Sequence, residues 1–265
     1  MMEKMGWRLG IDIGGTFTDL YLINETTGEF RTLKVLSTSS PEKGVVEGLD
    51  RLLAGTGLSP GWLRLVAHGT NLATNALVER KGARVGVITT AGFRDVLVMG
   101  RQYRYDMQDL LIDLPRPPVR RADILGIPER VDASGQVVVP LNEEAVREAG
   151  RSLLGRGVES IAVCFLHSYS QPRHEQKAAA LLRDEFALRY VSASSEVAPT
   201  IREYERFVTA VVNAYVQPLV DRYLGTLEGK IRAMGIEAPL LIMLNNGGLA
   251  MPILSASSSL GLPPG

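Results

Sequence analysis

Within one short run, Asp12-Ile13-Gly14-Gly15-Thr16-Phe17-Thr18-Asp19, the chain gathers two carboxylates, two adjacent glycines and two threonine hydroxyls. Glycine tolerates positive φ and close backbone approach, so the N–H groups of Gly14 and Gly15 can converge on an anion. Thr16 and Thr18 add hydroxyl donors. A carboxylate repels a phosphate, but Asp12 can hold Mg²⁺ or the waters of that metal beside one. The set suits the binding of a phosphoryl group. On spacing alone, Gly-Gly after a strand also describes a plain hairpin turn. A Walker A loop is excluded, because no Gly-Lys-Ser/Thr follows, and a Rossmann fingerprint is excluded by the glycine spacing.

A second stretch, His68-Gly69-Thr70-Asn71 with Thr74 and Asn75 beyond it, ends an apolar run. The pattern predicts a strand ending at His68, a turn at Gly69, and Thr70 or Asn71 capping a helix to about Lys81. Fresh helix N–H groups and small polar side chains would make another anion-binding position, with an ordinary helix cap as the plain alternative. Arg94 and Arg101 are candidates to clamp a carboxylate or phosphate bidentately, or simply to pair with Asp95 or Asp106. Cys164, the single cysteine, lies in an apolar strand and reads as a small core residue. His174 and Glu175 read as cap-region residues of a helix.

The elements that must position these groups follow from periodicity. Trp7–Ile13, Phe17–Ile23 and Phe30–Leu36 alternate as strands and form an antiparallel meander. Val45, Val46, Leu49, Leu52 and Leu53 share one helix face behind Pro41. Further βα units follow: a strand at Val85–Thr89, a hairpin joining Ile124–Val131 to Gln136–Val139, and a helix at Asn142–Arg156. Beyond these come a strand at Val158–Leu166, a strand at Arg189–Ala193, a polar turn at Ser194–Pro199, and a long helix from Arg202 to about Leu227 with a kink at Pro218. A last strand covers Pro239–Leu244. Meander, helix, then βα units is the order of a ribonuclease-H-like domain. The expected fold class is therefore α/β with a mixed sheet, plus a second α/β segment.

The opening motif resembles the first phosphate loop of the actin-like ATPases, and the chain as a whole resembles the hydantoinase A/5-oxoprolinase family. Glu79-Arg80-Lys81-Gly82-Ala83, Gly92-Phe93-Arg94-Asp95, Gly100-Arg101-Gln102, Leu166-His167-Ser168-Tyr169, Pro172 to Glu175, and Arg202-Glu203-Tyr204-Glu205-Arg206 all match its recurring strings in order. Asn71 stands where the family more often has a second Thr. The resemblance implies ATP and Mg²⁺ as cofactors, with Asp12 organising the metal and acting in catalysis together with Arg101. Gly14, Gly15, Thr16 and Thr18 would bind phosphate and Asp19 would buttress the loop. His68, Gly69, Thr70, Asn71, Thr74 and Asn75 would line the opposite wall. The implied activity is ATP-dependent hydrolysis of a cyclic amide such as a hydantoin or 5-oxoproline, through phosphorylation of the amide oxygen. A second subunit or domain of hydantoinase B type is the implied partner. The alternatives are an inactive fragment or interaction subunit, and the ATP-binding subunit of a related ketone carboxylase.

The family is longer and carries a second ribonuclease-H-like half, so a truncated chain is expected. Its parts would be an N-terminal domain over 6–196, the incomplete start of a central domain over 197–250, and a disordered tail over 251–265. With 29 basic and 29 acidic residues the formal net charge is zero, which removes the electrostatic case for nucleic acid or an anionic membrane. No apolar run approaches the ~20 residues that span a bilayer. A cytoplasmic protein is expected.

Overall fold

The computed structural model describes residues 6–37, 41–101, 111, 115–243 and 248–251. The chain divides into two compact units, the first from Met1–Asn75 with Val220–Leu254 and the second from Ala76–Leu219.

The first unit is a six-stranded mixed sheet. Strands β1 (Trp7–Ile13), β2 (Phe17–Asn24) and β3 (Phe30–Leu36) form the expected meander. Helix α1 (Pro41–Thr56) then carries the chain to β4 (Leu63–Thr70), which lies parallel to β1 on its other side. The sheet is completed by β11 (Leu240–Met243) and β12 (Leu249–Ala250), giving the order β12-β11-β4-β1-β2-β3. Alternation along β1 and β2 buries Leu9, Ile11, Ile13, Leu20 and Leu22 on one face. That face packs against Val45, Leu49, Leu52 and Leu53 of α1 and against Tyr223, Leu224, Leu227 and Ile231. Close approach of α1 to the sheet depends on Gly48, where a Cβ would lie 2.4 Å from Leu20 Cδ1. Gly48→Ala is therefore expected to lower stability by about 1–3 kcal/mol despite the better helix propensity of alanine, as read from urea midpoints.

The second unit begins with α2 (Leu72–Val78) running into it, then β5 (Val85–Thr90) and α3 (Val96–Met99). After β6 (Ile124–Ile127) come the two-stranded hairpin β7 (Arg130–Val131) and β8 (Val137–Val139), then α4 (Glu143–Gly155), β9 (Ser160–Cys164), α5 (Arg173–Phe186), β10 (Val191–Ala193) and α6 (Ser194–Val197). Strands β10-β9-β5-β6, in that order, make an all-parallel sheet whose central strands β5 and β9 are buried along their whole length. Continuous rather than alternating burial is what helices on both faces of a parallel sheet require. Asn142 caps α4 as expected, its side chain accepting from Ala145 N at 3.0 Å.

Three expectations change. Gly69 does not turn the chain, because β4 continues through it to Thr70. The strand expected over Ile124–Val131 is two strands, since Pro128 cannot donate to a ladder and the chain leaves the sheet there. The polar turn after Ala193 opens as the short helix α6. The long helix expected through Pro218 is present as α7 (Glu203–Ala233). The first compact unit is made of two stretches of chain, because β11 pairs with β4 and returns the chain from Val220 onward to it. The tail expectation falls, but for Met251, outside the described residues.

Candidate phosphate-binding site

The register of the first sheet sets the site. Asp12 on β1 lies opposite Asp19 on β2 and beside Gly69 on β4, while Asp19 lies opposite Lys34 on β3. Residues in one such row share a face. Asp19 is neutralised by Lys34, Nζ to Oδ1 at 3.0 Å, and Lys34 also stands 4.9 Å from the centre of the Phe17 ring. Asp12, exposed at the end of β1, has no described partner for its carboxylate. Two carboxylates facing each other across a ladder repel. Lys34 relieves one of them and leaves the other suited to a cation.

The loop between β1 and β2 is tied down from beneath. Gly14 N–H donates to Phe17 O at 2.9 Å, Ser37 N–H to Thr16 O at 2.9 Å, and Ser37 Oγ to Gly14 O at 2.9 Å. Thr18 faces inward, fully buried, with its hydroxyl 3.1 Å from Ser37 Oγ. The Gly14 N–H is thus spent on the turn, and the outward donors left are the N–H groups of Gly15 and Thr16 with the Thr16 hydroxyl. Neither glycine takes positive φ. Gly14 is needed for close packing instead, a Cβ there lying 3.2 Å from Phe17 O, while Gly15 faces open space.

Parallel pairing brings the end of β4 to the same edge, with Thr70 beside Ile13. Gly69 leaves Asp12 uncovered, since a Cβ there would sit 3.4 Å from Asp12 Oδ1. Thr70 Oγ1 accepts from Leu72 N at 3.2 Å and so caps α2, and Asn71, Thr74 and Asn75 are exposed around that helix start. His68 faces the other way, into the core. Its Nε2 accepts from Tyr223 Oη at 2.8 Å and its Nδ1 lies 3.3 Å from Ile11 O. Burial lowers its pKa to about 4, with the bond to the Ile11 carbonyl opposing the shift. The site residues brought together are therefore Asp12, Gly14, Gly15, Thr16, Gly69, Thr70 and Asn71. Arg101 belongs to the second unit and is paired with Glu205. Arg94 spends its Nε on Ile124 O at 2.6 Å.

The hydantoinase/oxoprolinase N-terminal region model matches residues 8–186, and the hydantoinase/oxoprolinase model matches residues 206–258. The chain belongs to the hydantoinase/oxoprolinase family. Among solved structures of this family, the ATP-dependent caprolactamase from Pseudomonas jessenii superposes with a TM-score of 0.84 at 32% identity, over 92% of this chain and 36% of that one. A nucleotide-free acetone carboxylase superposes at 0.81 and 28% identity, over 92% and 37%. The fold is accordingly the mixed α/β fold of actin-like ATPase type. The 5-oxoprolinase 1 of Arabidopsis thaliana is 34% identical over 92% of this chain and 21% of its own length. This chain thus spans between about a fifth and two fifths of the curated relatives it matches.

Two polar clusters of the hydantoinase/oxoprolinase chain bring in buried carboxylates, Glu175 and Glu129, that the sequence did not mark as site residues. Glu175 and Arg206 are buried side by side with Ser194 between them. Glu129, also buried, takes hydrogen bonds from the Thr90 hydroxyl and from His174. The available signal was a charged residue at an inward position of its element, such as Glu175 on the face of α5 that carries Ala178, Ala179 and Leu182.

Proposed function

We propose that this chain is the phosphate-binding N-terminal part of an ATP-dependent hydrolase of cyclic amides, a small hydantoin or lactam being the substrate class. The observation that carries the reading is Asp12: an exposed carboxylate without a described partner, uncovered by Gly69, beside the outward donors of Gly15 and Thr16. These residues fit a phosphate and its metal. Asp12 would hold Mg²⁺ directly or through water, and Gly15 N–H with the Thr16 N–H and hydroxyl would hold phosphoryl oxygens. Asp19, neutralised by Lys34, leaves the second charge of the metal for the phosphate. When bound, ATP would supply a phosphoryl group to the amide oxygen and so make the amide carbon electrophilic. Thr70 and Asn71 would border the phosphate pocket, whereas Thr18 and His68 support it from beneath. A second subunit of hydantoinase B type would complete the enzyme, and the cytoplasm, where ATP is held, is the compartment this reading requires. Similarity to acetone carboxylase favours one competitor, the ATP-binding subunit of a ketone carboxylase.

Calorimetry of Mg²⁺–ATP binding to the chain and to Asp12→Ala tests the reading. Removing the carboxylate should weaken binding about 30-fold, or about 2 kcal/mol. Equal affinity in the two proteins would remove Asp12 from the site.

A further inference from the structure

The sheet of the first unit is covered on one face only. Its inward residues meet α1 and the latter part of α7. The other face carries Tyr21, Ile23, Phe30, Leu65, Leu241 and Met243 in neighbouring rows, and none of them belongs to either buried apolar core. Tyr21 is 40% exposed, Phe30 52% and Met243 53%. The Tyr21 and Phe30 rings stack with their centres 6.2 Å apart, which joins β2 and β3 into one apolar patch. Strands β1, β4 and β11 run parallel, and parallel strands are almost always covered on both faces, commonly by helices. Here the second cover is missing.

Charge selects the kind of partner. Arg8 pairs with Glu25 at 2.9 Å and Lys34 with Asp19 at 3.0 Å, so among the described residues Asp12, at the loop edge, is the unmatched charge of this face. A face without surplus cations has nothing to hold a polyanion or an anionic membrane, and a neutral apolar patch takes a protein partner. Size sets the form of that partner. Six strands ~4.8 Å apart and seven residues at ~3.3 Å make a plate of about 650 Å², close to the ~800 Å² each side gives a standard interface. Two helices of about 15 residues, side by side, would cover most of it. Relatives carry polypeptide from which to supply them: caprolactamase subunit alpha of Pseudomonas jessenii is matched over 94% of this chain but 37% of its own length. We infer that this face docks a pair of amphipathic helices from the part of the family polypeptide that lies outside the matched region. Their apolar stripes, repeating at i, i+3 and i+4, seat on Tyr21, Ile23 and Phe30. This surface stands on exposure and strand pairing, apart from the ATP-dependent reading.

Cys164, the single cysteine, is fully buried, so an introduced surface thiol on the full chain is read alone by a thiol-reactive disulfide reagent. Tyr21→Cys and Phe30→Cys place that thiol on the face, and Val138→Cys, at a 61% exposed position of β8 in the second unit, is the control. The probe is the portion of the Pseudomonas jessenii caprolactamase alpha subunit outside its matched part, produced as a separate chain. All three variants alone should label fast, at a rate independent of chain concentration. Probe at about 50 µM should slow Tyr21→Cys and Phe30→Cys about tenfold, as for a Kd of about 5 µM, and leave Val138→Cys unchanged. Protection that grows with the concentration of the chain itself would give the face to a second copy and overturn the inference. Unchanged labelling with the probe, or equal slowing of Val138→Cys, overturns it as well. A second reactive thiol per chain would mark an unfolded variant, and the other face position then decides. Mg²⁺–ATP enters none of these readouts, so this inference and the ATP-dependent reading fail separately.

Discussion

Arg206→Met is expected to cost the second unit about 3–5 kcal/mol, a large share of a typical domain's stability. Arg206 is 1% exposed, the largest fully buried side chain among the described residues. Its Nε donates to Ser194 Oγ at 3.1 Å, one terminal nitrogen to Thr200 O at 2.9 Å and the other to Phe165 O at 2.9 Å. One side chain of α7 therefore stitches together the end of β9, the start of α6 and the loop after it. Through Ser194 the cation meets Glu175, whose two oxygens accept from Phe165 N, Ser194 Oγ and Ser195 N at 2.6 to 2.7 Å. Burial pushes the Glu175 carboxyl upward in pKa and Arg206 downward, with the hydrogen bonds on one side and the opposite charge on the other limiting each shift. Methionine fills similar volume but strands the carbonyls of Phe165 and Thr200 and leaves a buried carboxylate without its cation. The double variant Arg206→Met/Glu175→Gln should recover part of the loss, because a neutral amide needs no counter-charge. Urea denaturation followed by circular dichroism reads both. A cost below about 1 kcal/mol for the single variant would show that Arg206 is not the group holding this corner.

The first unit was legible because its alternation is strict. Leu9, Ile11 and Ile13 on β1 and Leu20 and Leu22 on β2 leave one possible face inward, and the bounds of β1 and β3 fall where the pattern places them. The same alternation explains where the wall of the site departs from expectation. With β4 extended to Thr70 and Gly69 set beside Asp12, His68 must point to the opposite face, whereas a strand ending at His68 would leave it free to face the ligand. Glycine misled there because its ordinary signal is a turn, while its use here is to keep a neighbouring carboxylate uncovered. In the loop itself, the carbonyls of Gly14 and Thr16 are held by Ser37, some twenty residues away and invisible to local pattern, while the Gly14 N–H is taken by Phe17 O.

The second unit was less legible because parallel strands pair at a distance. Nothing local ties Thr90 to Leu166 or Glu129 to His174. These contacts exist only once crossover connections set β5 between β6 and β9. The hairpin was legible, but its first strand β7 merges with β6 in the sequence pattern, since Ile124 to Val131 is apolar enough to pass for one strand. Arg101 illustrates the limit of residue type as a signal. A guanidinium able to clamp a substrate is equally able to pair with a carboxylate, and Glu205, far off in sequence, is such a partner here.

Acid should loosen the first unit ahead of what its carboxylates alone would cause. In the folded state the His68 pKa is lowered from 6.5 to about 4, chiefly by burial. Its neutral form is built into the core, donating from Nδ1 to the Ile11 carbonyl and accepting from the Tyr223 hydroxyl. Burial in turn raises the Tyr223 pKa, so that hydroxyl stays a donor through any pH of interest. Because the folded pKa is depressed, the unfolded chain binds the proton first as pH falls. The contribution of His68 is thus fully present above about 6.5 and is lost progressively toward about 4, amounting to about 3 kcal/mol over the window. Trp7 and Trp62, the two tryptophans of the chain, both pack in this unit's core, so tryptophan fluorescence reports on it selectively. Urea midpoints at pH 7.5 and pH 4.5 should differ by about 2 kcal/mol more in the native chain than in His68→Phe/Tyr223→Phe, where an apolar pair replaces the titrating one. Parallel loss in both proteins would mean that the imidazole can take its proton without leaving the core. The consequence for the site is direct: His68 precedes Gly69 on the strand that keeps Asp12 uncovered, so protonation that dislodges β4 also dismantles the edge where the phosphate would bind.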